Sequence, residues 1–151
     1  MCNNSLIYLA TPSVSDVASG GVLPFSTIVR RRGCACQQSN GSIVLGAAGY
    51  YHVTVNATFT APAAGVVSFE LRQDGLPVQG AVASTSIVTA TTEVDSLSFD
   101  AIVRVPYGAS AVTLTVVNTG VAITTSNIAI SARYLDEYAQ KNYRRGNSRA
   151  A

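Results

Sequence analysis

The sequence predicts an all-β domain of antiparallel strands packed as a sandwich or barrel. Val, Ile and Ala alternate with Ser and Thr along most of the chain, which is the pattern of strands with one buried and one wet face. Turn signals interrupt the alternation at intervals of roughly 8 to 20 residues. No helical spacing of apolar residues occurs before residue 135, so helices are not expected in the body of the domain.

The first third of the chain begins without a regular pattern. Residues 1–21 are predicted to form an irregular N-terminal arm, since breakers such as Thr11–Ser13 interrupt any strand. A strand is predicted over Val22–Val29, and the basic run Arg30–Gly33 is expected to end it. Ser39–Gly41 is a hairpin signal, so we expect one short strand on either side of it.

The longest alternation predicts a central strand over Tyr50–Thr60, after a permissive turn at Gly46–Gly49. Its core side is expected to hold Tyr51, Val53, Val55, Ala57 and Phe59, and its other side Tyr50, His52, Thr54, Asn56 and Thr58. We expect the second set to face either solvent or a neighbouring subunit.

Shorter alternations complete the domain. Further strands are predicted over Val67–Arg72, Val78–Val88, Ser96–Val105, Val112–Val117 and Asn127–Tyr134. Asp74–Gly75 predicts the hairpin between the first two, and the register of residues 78–93 is left open. About eight to ten strands follow in total, with immunoglobulin, jelly-roll and other Greek-key connections all compatible.

Length and charge limit the classes of partner. The 151 residues suit one domain, and a net charge of +2 is not typical of nucleic-acid binding. No run approaches the ~20 apolar residues of a membrane span, and the N-terminus lacks the pattern of a secretion signal. The excess of bases lies in a C-terminal tail over 136–151, where a short helix over Leu135–Tyr143 or an irregular segment is predicted.

Three motifs resemble the C1q/tumour-necrosis-factor-like jelly-roll family, especially its bacterial and phage branch of spore-surface heads and virion knobs. They are Val22–Phe25, Gly41–Tyr51 and Pro106–Gly108. The resemblance covers residues 22–135 and implies a ten-stranded antiparallel jelly-roll β-sandwich that assembles as a homotrimer without catalysis. The chain departs from the family at Ser131–Leu135, where Phe-x-Gly-x-Leu is usual.

Two sets of residues are candidates for contacts with partners. Charged residues are only 12% of the chain and several strands are apolar on both faces, so a subunit interface is an economical cover. The predicted trimer-interface residues are Phe25, Val117 and Tyr134. The predicted contacts with a particle or acidic partner are Arg30, Arg31, Arg32, Lys141, Arg144 and Arg145.

Other reactive side chains are predicted to be structural, with no catalytic residue, metal or cofactor. Cys2, Cys34 and Cys36 are expected to be free thiols, because a disulfide between Cys34 and Cys36 would be strained and the chain has no secretion signal. A structural zinc site needs four ligands, and Cys2 and His52 are the only candidates to add to Cys34 and Cys36. His52 has no Gly-x-Ser-x-Gly nucleophile to serve, and we expect a solvated or interface position. Glu93, Asp95 and Asp100 are the densest acids and are expected to be wet loop residues rather than a calcium site.

The resemblance and the polar arm and basic tail together suggest a non-enzymatic structural or decoration protein. The predicted role is a trimeric knob on a phage virion, on the capsid or a fibre, or on a similar particle, made in the host cytoplasm. The alternative is a carbohydrate- or receptor-binding head of a phage adhesin or spore-surface protein. In that case Tyr50, Tyr107 or Tyr143 would stack on the ligand.

Overall fold

The computed structural model describes residues 4–108 and 110–136, and every regular element within these ranges is a β-strand. The strands are β1 Leu6–Thr11, β2 Ser15–Val17, β3 Thr27–Arg32, β4 Cys36–Ser39, β5 Ser42–Leu45, β6 Gly49–Thr60, β7 Gly65–Gln73, β8 Leu76–Ile87, β9 Asp95–Val105, β10 Val112–Asn118 and β11 Ile123–Asp136. Within the same ranges, no helix has the length and apolar character needed to cross a membrane.

These strands pair in two antiparallel sheets. The six-stranded sheet has the order β3-β1-β11-β6-β9, with β2 also paired to β11, and the five-stranded sheet has the order β4-β5-β10-β7-β8. Strands from opposite ends of the chain lie side by side in both sheets, as in a double-sheet jelly roll. The predicted fold class, an all-β antiparallel jelly-roll sandwich, is therefore confirmed.

The hydrophobic core lies between the two sheets and is built from the inward side chains of both. Phe59 of β6 and Phe69 of β7 meet across the sandwich, with ring centroids 5.5 Å apart at 83°, which is the favoured edge-to-face geometry. Both rings are fully buried, together with Leu9, Leu45 and Leu114 from three other strands. Burial of these side chains from both sheets is what holds the layers together.

The predicted alternation of β6 is confirmed. Its core-facing residues are buried, and the residues between them are half-buried or exposed. The turn before it is fixed by two tyrosines, since Tyr51 donates to Ala47 O at 2.5 Å and Tyr134 donates to Ala48 O at 2.8 Å. Gly49 is required at the end of this turn, because its φ is 140° and a Cβ would lie 2.7 Å from the Tyr134 ring.

The two short hairpin signals form the turns that they predict. Asn40 and Gly41 connect β4 to β5 with φ values of 50° and 77°, and Asp74 and Gly75 connect β7 to β8 with 51° and 83°. Two successive left-handed residues are the requirement of a type I′ hairpin, which Asn-Gly and Asp-Gly satisfy best. The hairpin predictions are confirmed.

The prediction of an irregular arm over residues 1–21 is wrong for residues 6–17. β1 pairs with both β3 and β11, so it lies inside the six-stranded sheet, and β2 pairs with β11. The apolar run Leu6–Ala10 shows no alternation of apolar and polar residues, because the outward positions Leu6 and Tyr8 are also occupied by an apolar and an aromatic residue. Because the run is short and polar residues flank it on both sides, the sequence pattern does not identify it as a strand.

The strand predicted over Val22–Val29 is displaced. β3 is Thr27–Arg32, so the three arginines extend the strand instead of ending it. The residues before β3 lie alongside β10 in space, where Leu23 N donates to Val116 O at 2.8 Å. Leu23 and Phe25 enter the core from this segment. β3 is an edge strand with every side chain exposed, which removes the alternation that would have predicted it.

The C-terminal strand is longer than predicted, because β11 continues through Leu135 to Asp136. The helix predicted over Leu135–Tyr143 therefore does not begin at Leu135. The remainder of that segment, and the tail with it, lies outside the described residues.

Candidate functional site

The outward face of the six-stranded sheet, which we call the outer face, is the candidate functional surface. Its register places Arg30, Tyr8, Ser131, Thr54 and Asp100 in one row across β3, β1, β11, β6 and β9. Directly opposed residues point to the same side of a sheet. The residues of this row therefore form one continuous band across the surface.

The neighbouring row is equally continuous. It runs from Arg32 through Leu6, Arg133 and His52 to Ile102, across the same strands. Arg133 and Ile102 were not predicted as site residues, because each has an ordinary sequence context and acquires its neighbours only through strand pairing. The two rows together make a band of mixed polar, basic and apolar side chains.

Side-chain hydrogen bonds order the middle of the outer face. His52 Nε2 lies 3.1 Å from Asp100 Oδ2, joining the two rows across β6 and β9. The hydroxyl groups of Thr54 and Ser131 are also hydrogen-bonded to each other, across β6 and β11. His52 and Asp100 therefore form a hydrogen-bonded pair on an open surface.

Exposed apolar side chains are distributed over the same face and its β3 edge. They are Tyr8, Ile28, Val29, Tyr50, Ile102 and Leu135. Ile102 is 56% exposed in the middle of a regular strand, where no described element covers it. Tyrosine, arginine and apolar residues with few acids are the composition enriched in protein interfaces.

The three residues predicted at a trimer interface are covered by the chain itself. Phe25, Val117 and Tyr134 are 2%, 5% and 6% exposed. Val117 faces outward from β10 but is bridged by Val22, and Tyr134 packs on Tyr51 with ring centroids 5.1 Å apart. Their role in an assembly stays a prediction, but little of their surface is left for a subunit contact.

The predicted basic contacts are described only in part. Arg30 donates to Val29 O at 2.8 Å, and Arg31 donates through Nε to Cys36 O at 3.2 Å. With Arg32 they form the exposed edge of the six-stranded sheet. The remaining predicted contacts, Lys141, Arg144 and Arg145, lie outside the described residues.

The cysteines differ from the expectation of free thiols. Cys34 is disulfide-bonded, so the prediction is wrong for this residue. Cys36 is free and fully buried, with its Sγ 3.9 Å from Ala132 O of the opposite sheet. Burial raises the pKa of the Cys36 thiol from its ordinary 9.0 to about 11, although the charge of Arg31 acts in the opposite direction. A thiol held protonated in this way is a poor nucleophile and metal ligand.

The acidic cluster has local structural partners. Glu93 accepts from Val88 N at 3.2 Å, and Asp95 accepts from the Thr85 hydroxyl at 2.9 Å. Asp95 begins β9, and Asp100 lies farther along it and is paired with His52, so the expectation of loop positions is wrong for these two residues. Among the described residues, no three His, Cys, Asp or Glu side chains are grouped closely enough to hold a metal ion.

A buried asparagine fixes the far end of the sandwich and was missed as a key residue. Asn118 is fully buried and donates through Nδ2 to Val121 O at 2.9 Å and Ala18 O at 3.3 Å. Its Oδ1 accepts from Gly120 N at 3.1 Å. The sequence identifies this residue only as part of an Asn-Thr-Gly turn, because burial of the amide depends on the distant segment that it contacts.

Solved structures of very different sequence share this fold. Eiger TNF from S. frugiperda matches with a TM-score of 0.68 at 13% identity, over 89% of this chain and 92% of that chain. The globular domain of zebrafish complement 1qA matches with a TM-score of 0.61 at 11% identity, over 87% and 96% of the two chains. PRD1 vertex protein P5 matches with a TM-score of 0.55 at 15% identity, over 89% and 99%.

These likenesses confirm the predicted C1q/TNF-like jelly-roll domain at the level of the fold. No known protein family and no curated protein sequence matches the chain. The comparisons therefore bear on architecture, and the chemistry of the outer face has to be argued from its own residues.

Proposed function

We propose that this protein is a non-enzymatic structural protein that forms a homotrimeric knob on a virion or similar particle. The observation that carries the proposal is the outer face, where Tyr8, Tyr50 and Ile102 are exposed among arginines. Such a surface gains stability when a second subunit removes it from water. The similarity to a PRD1 vertex protein supports a particle as the setting.

A ring of three subunits needs contacts between two different patches, since each subunit uses one patch for each neighbour. The outer face supplies one such patch. Its basic residues Arg30, Arg32 and Arg133 outnumber its hydrogen-bonded acids Asp16 and Asp100, and this balance favours a partner patch with carboxylates. Glu93 precedes β9, at the end opposite Arg104, and is a candidate for such a contact; it is half-buried and its Oε2 accepts from Val88 N.

Attachment to the particle is assigned to the basic residues at the β3 edge and in the tail. Because β11 continues to Asp136, a chain ending there keeps all the described strands. Deletion of residues 137–151 is therefore a clean test, whereas deletion of residues 1–20 would remove β1 and β2 from the six-stranded sheet. The N-terminal deletion is replaced as a test by charge reversal at Arg30, which is exposed.

The experiment is co-sedimentation with particles purified from cells that express the gene, using the full chain, the 137–151 deletion and Arg30→Glu. We expect the full chain to co-sediment and at least one variant to be lost from the pellet while keeping its thermal midpoint. Recovery of both variants in the pellet at the level of the full chain would reject attachment through the basic residues. Absence of the full chain from the pellet and from the particles themselves would reject the particle assignment.

A second candidate function is glycan binding at one end of the sandwich. Tyr107 is 71% exposed in the turn after β9. Tyr50, at the start of β6, is also exposed and is paired with Arg104 near the end of β9. Exposed tyrosine rings can stack on sugar rings. A glycan array with the full chain and Tyr107→Ala tests this role. Binding that survives the substitution, or no binding by the full chain, would reject it.

A further inference from the structure

A surface cavity opens where β1, β3 and β11 end together. Its volume is about 280 Å³, and it is lined by Asn4, Leu6, Arg32, Arg133, Tyr134 and Leu135. Two of these side chains are arginines from strands that are distant in sequence.

Strand register explains why the two arginines converge on the cavity. Leu6 of β1 is the direct partner of Arg32 on one side and of Arg133 on the other. Cross-strand partners point to the same side of the sheet, and the two arginines are separated by two strand spacings, which is about 10 Å between their Cα atoms. Two long side chains at that separation can reach one small group placed over Leu6.

Within residues 4–108 and 110–135, no carboxylate is paired with either of the two guanidinium groups. The ion pairs between described side chains are Arg72 with Glu70 and His52 with Asp100. Neither Arg32 nor Arg133 has a carboxylate within ion-pair distance among the side chains that the structure describes. In contrast to Arg30 and Arg31, neither of them has a side-chain hydrogen bond to the described protein.

We propose that this cavity binds a phosphate or sulfate group, with Arg32 and Arg133 as the two donors on either side of the anion. A planar guanidinium group donates two parallel hydrogen bonds to such an oxyanion and does so better than an ammonium group. The Asn4 amide can supply a further donor. The cavity is larger than the anion, and Leu6 and Leu135 offer apolar surface to whatever molecule carries the charged group.

The test is a titration of the ¹⁵N-labelled full chain with sodium phosphate, sodium sulfate and phenyl phosphate, at ionic strength held constant with sodium chloride. We expect saturable shifts of the Arg32 and Arg133 Nε–H resonances. Tighter binding of phenyl phosphate than of inorganic phosphate would identify the ligand as an ester with an apolar body, and equal affinity would identify a free anion. Either result supports the oxyanion site.

Three variants make the test specific. Arg32→Gln and Arg133→Gln should each raise the dissociation constant about tenfold or more, as expected for the loss of a charge-assisted hydrogen bond. Arg104→Gln, on β9 at the far side of the same sheet, should change the dissociation constant less than about twofold, because salt screens the attraction of a charge at that distance. All three residues are exposed, and an unchanged thermal midpoint verifies the fold of each variant.

Shifts that do not saturate, or equal weakening of binding by Arg104→Gln, would overturn the proposal in favour of diffuse attraction to a basic surface. The solution mass measured on the same samples is a separate readout. A protein that binds the anion without forming a trimer keeps this inference and rejects the assembly. A trimer without saturable binding does the reverse.

Discussion

The two faces of β6 differ in what the chain provides for them. The inward residues Tyr51, Val53 and Phe59 are fully buried against the five-stranded sheet. The outward residues, from Tyr50 to Thr60, are half-buried or exposed, and the face they belong to carries an uncovered Ile102. One face is completed by the folding of a single chain, and we infer that the other is completed by association.

The largest effect is expected on the inward face. Phe59→Ala should lower the free energy of unfolding by about 3–5 kcal/mol, because it removes buried apolar surface and leaves a cavity beside Phe69. Asn56→Ala, on the outward side of the same strand, should change it by less than about 0.5 kcal/mol. Urea denaturation of both variants measures the contrast. Similar losses for the two substitutions would contradict the assignment of the faces.

The next effect is expected on assembly. Ile102→Arg adds charge to the outer face, and interface residues of this kind are worth about 2 kcal/mol or more when disrupted. We expect the trimer to dissociate to single chains of 15.7 kDa. Val82→Arg is the matched control, because Val82 is also an exposed apolar strand residue, on the five-stranded sheet. Sedimentation velocity distinguishes the two, and loss of the trimer in the Val82 variant alone would move the contact to the other sheet.

A smaller effect is expected from the buried Cys36 thiol at alkaline pH. The unfolded chain releases this proton near pH 9.0, whereas the folded chain keeps it up to about pH 11. The folded state therefore binds more protons in this window, and stability falls as pH rises, by an amount on the order of 2 kcal/mol.

Cys36→Ala removes this contribution and keeps that of Tyr51. Burial raises the pKa of the Tyr51 hydroxyl to about 12. The expected result is a shallower loss of stability between pH 9 and 11 in the variant, measured by urea denaturation at a series of pH values. Parallel curves for the two proteins would show that the Cys36 thiol is not protected by the fold.

The smallest effect is expected for the pair on the outward side of β6. His52→Gln removes the contact with Asp100, and exposed ion pairs are worth about 0–1 kcal/mol. We expect a shift of the thermal midpoint within a few degrees at low salt and a smaller shift at high salt. A large loss of stability that is insensitive to salt would place His52 in a buried network and remove it from the outer face.

Sequence patterns predicted the parts of the fold that depend on local rules. The alternation of β6 and the Asn40–Gly41 and Asp74–Gly75 turns could be read directly, because period and backbone preference are properties of neighbouring residues. β1 and β3 were missed for opposite reasons. β1 carries apolar or aromatic residues on both of its sides and β3 is exposed throughout, so neither shows the alternation of a half-buried strand.

The candidate sites depend on contacts that no local pattern contains. Arg32 and Arg133 become neighbours only because Leu6 separates β3 from β11. Phe25 and Val117 are apolar residues that the sequence cannot divide between core and interface, and the structure places both under the chain's own cover. The disulfide of Cys34 was missed because a bond to Cys36 would be strained and the lack of a secretion signal favoured free thiols.

The most direct test of the proposed assembly is the mass of the full chain in solution, measured by sedimentation equilibrium over a range of micromolar concentrations. The proposed homotrimer predicts a single species close to three times 15.7 kDa. A species of 15.7 kDa throughout that range would show that the outer face is in contact with water and would contradict the proposed assembly.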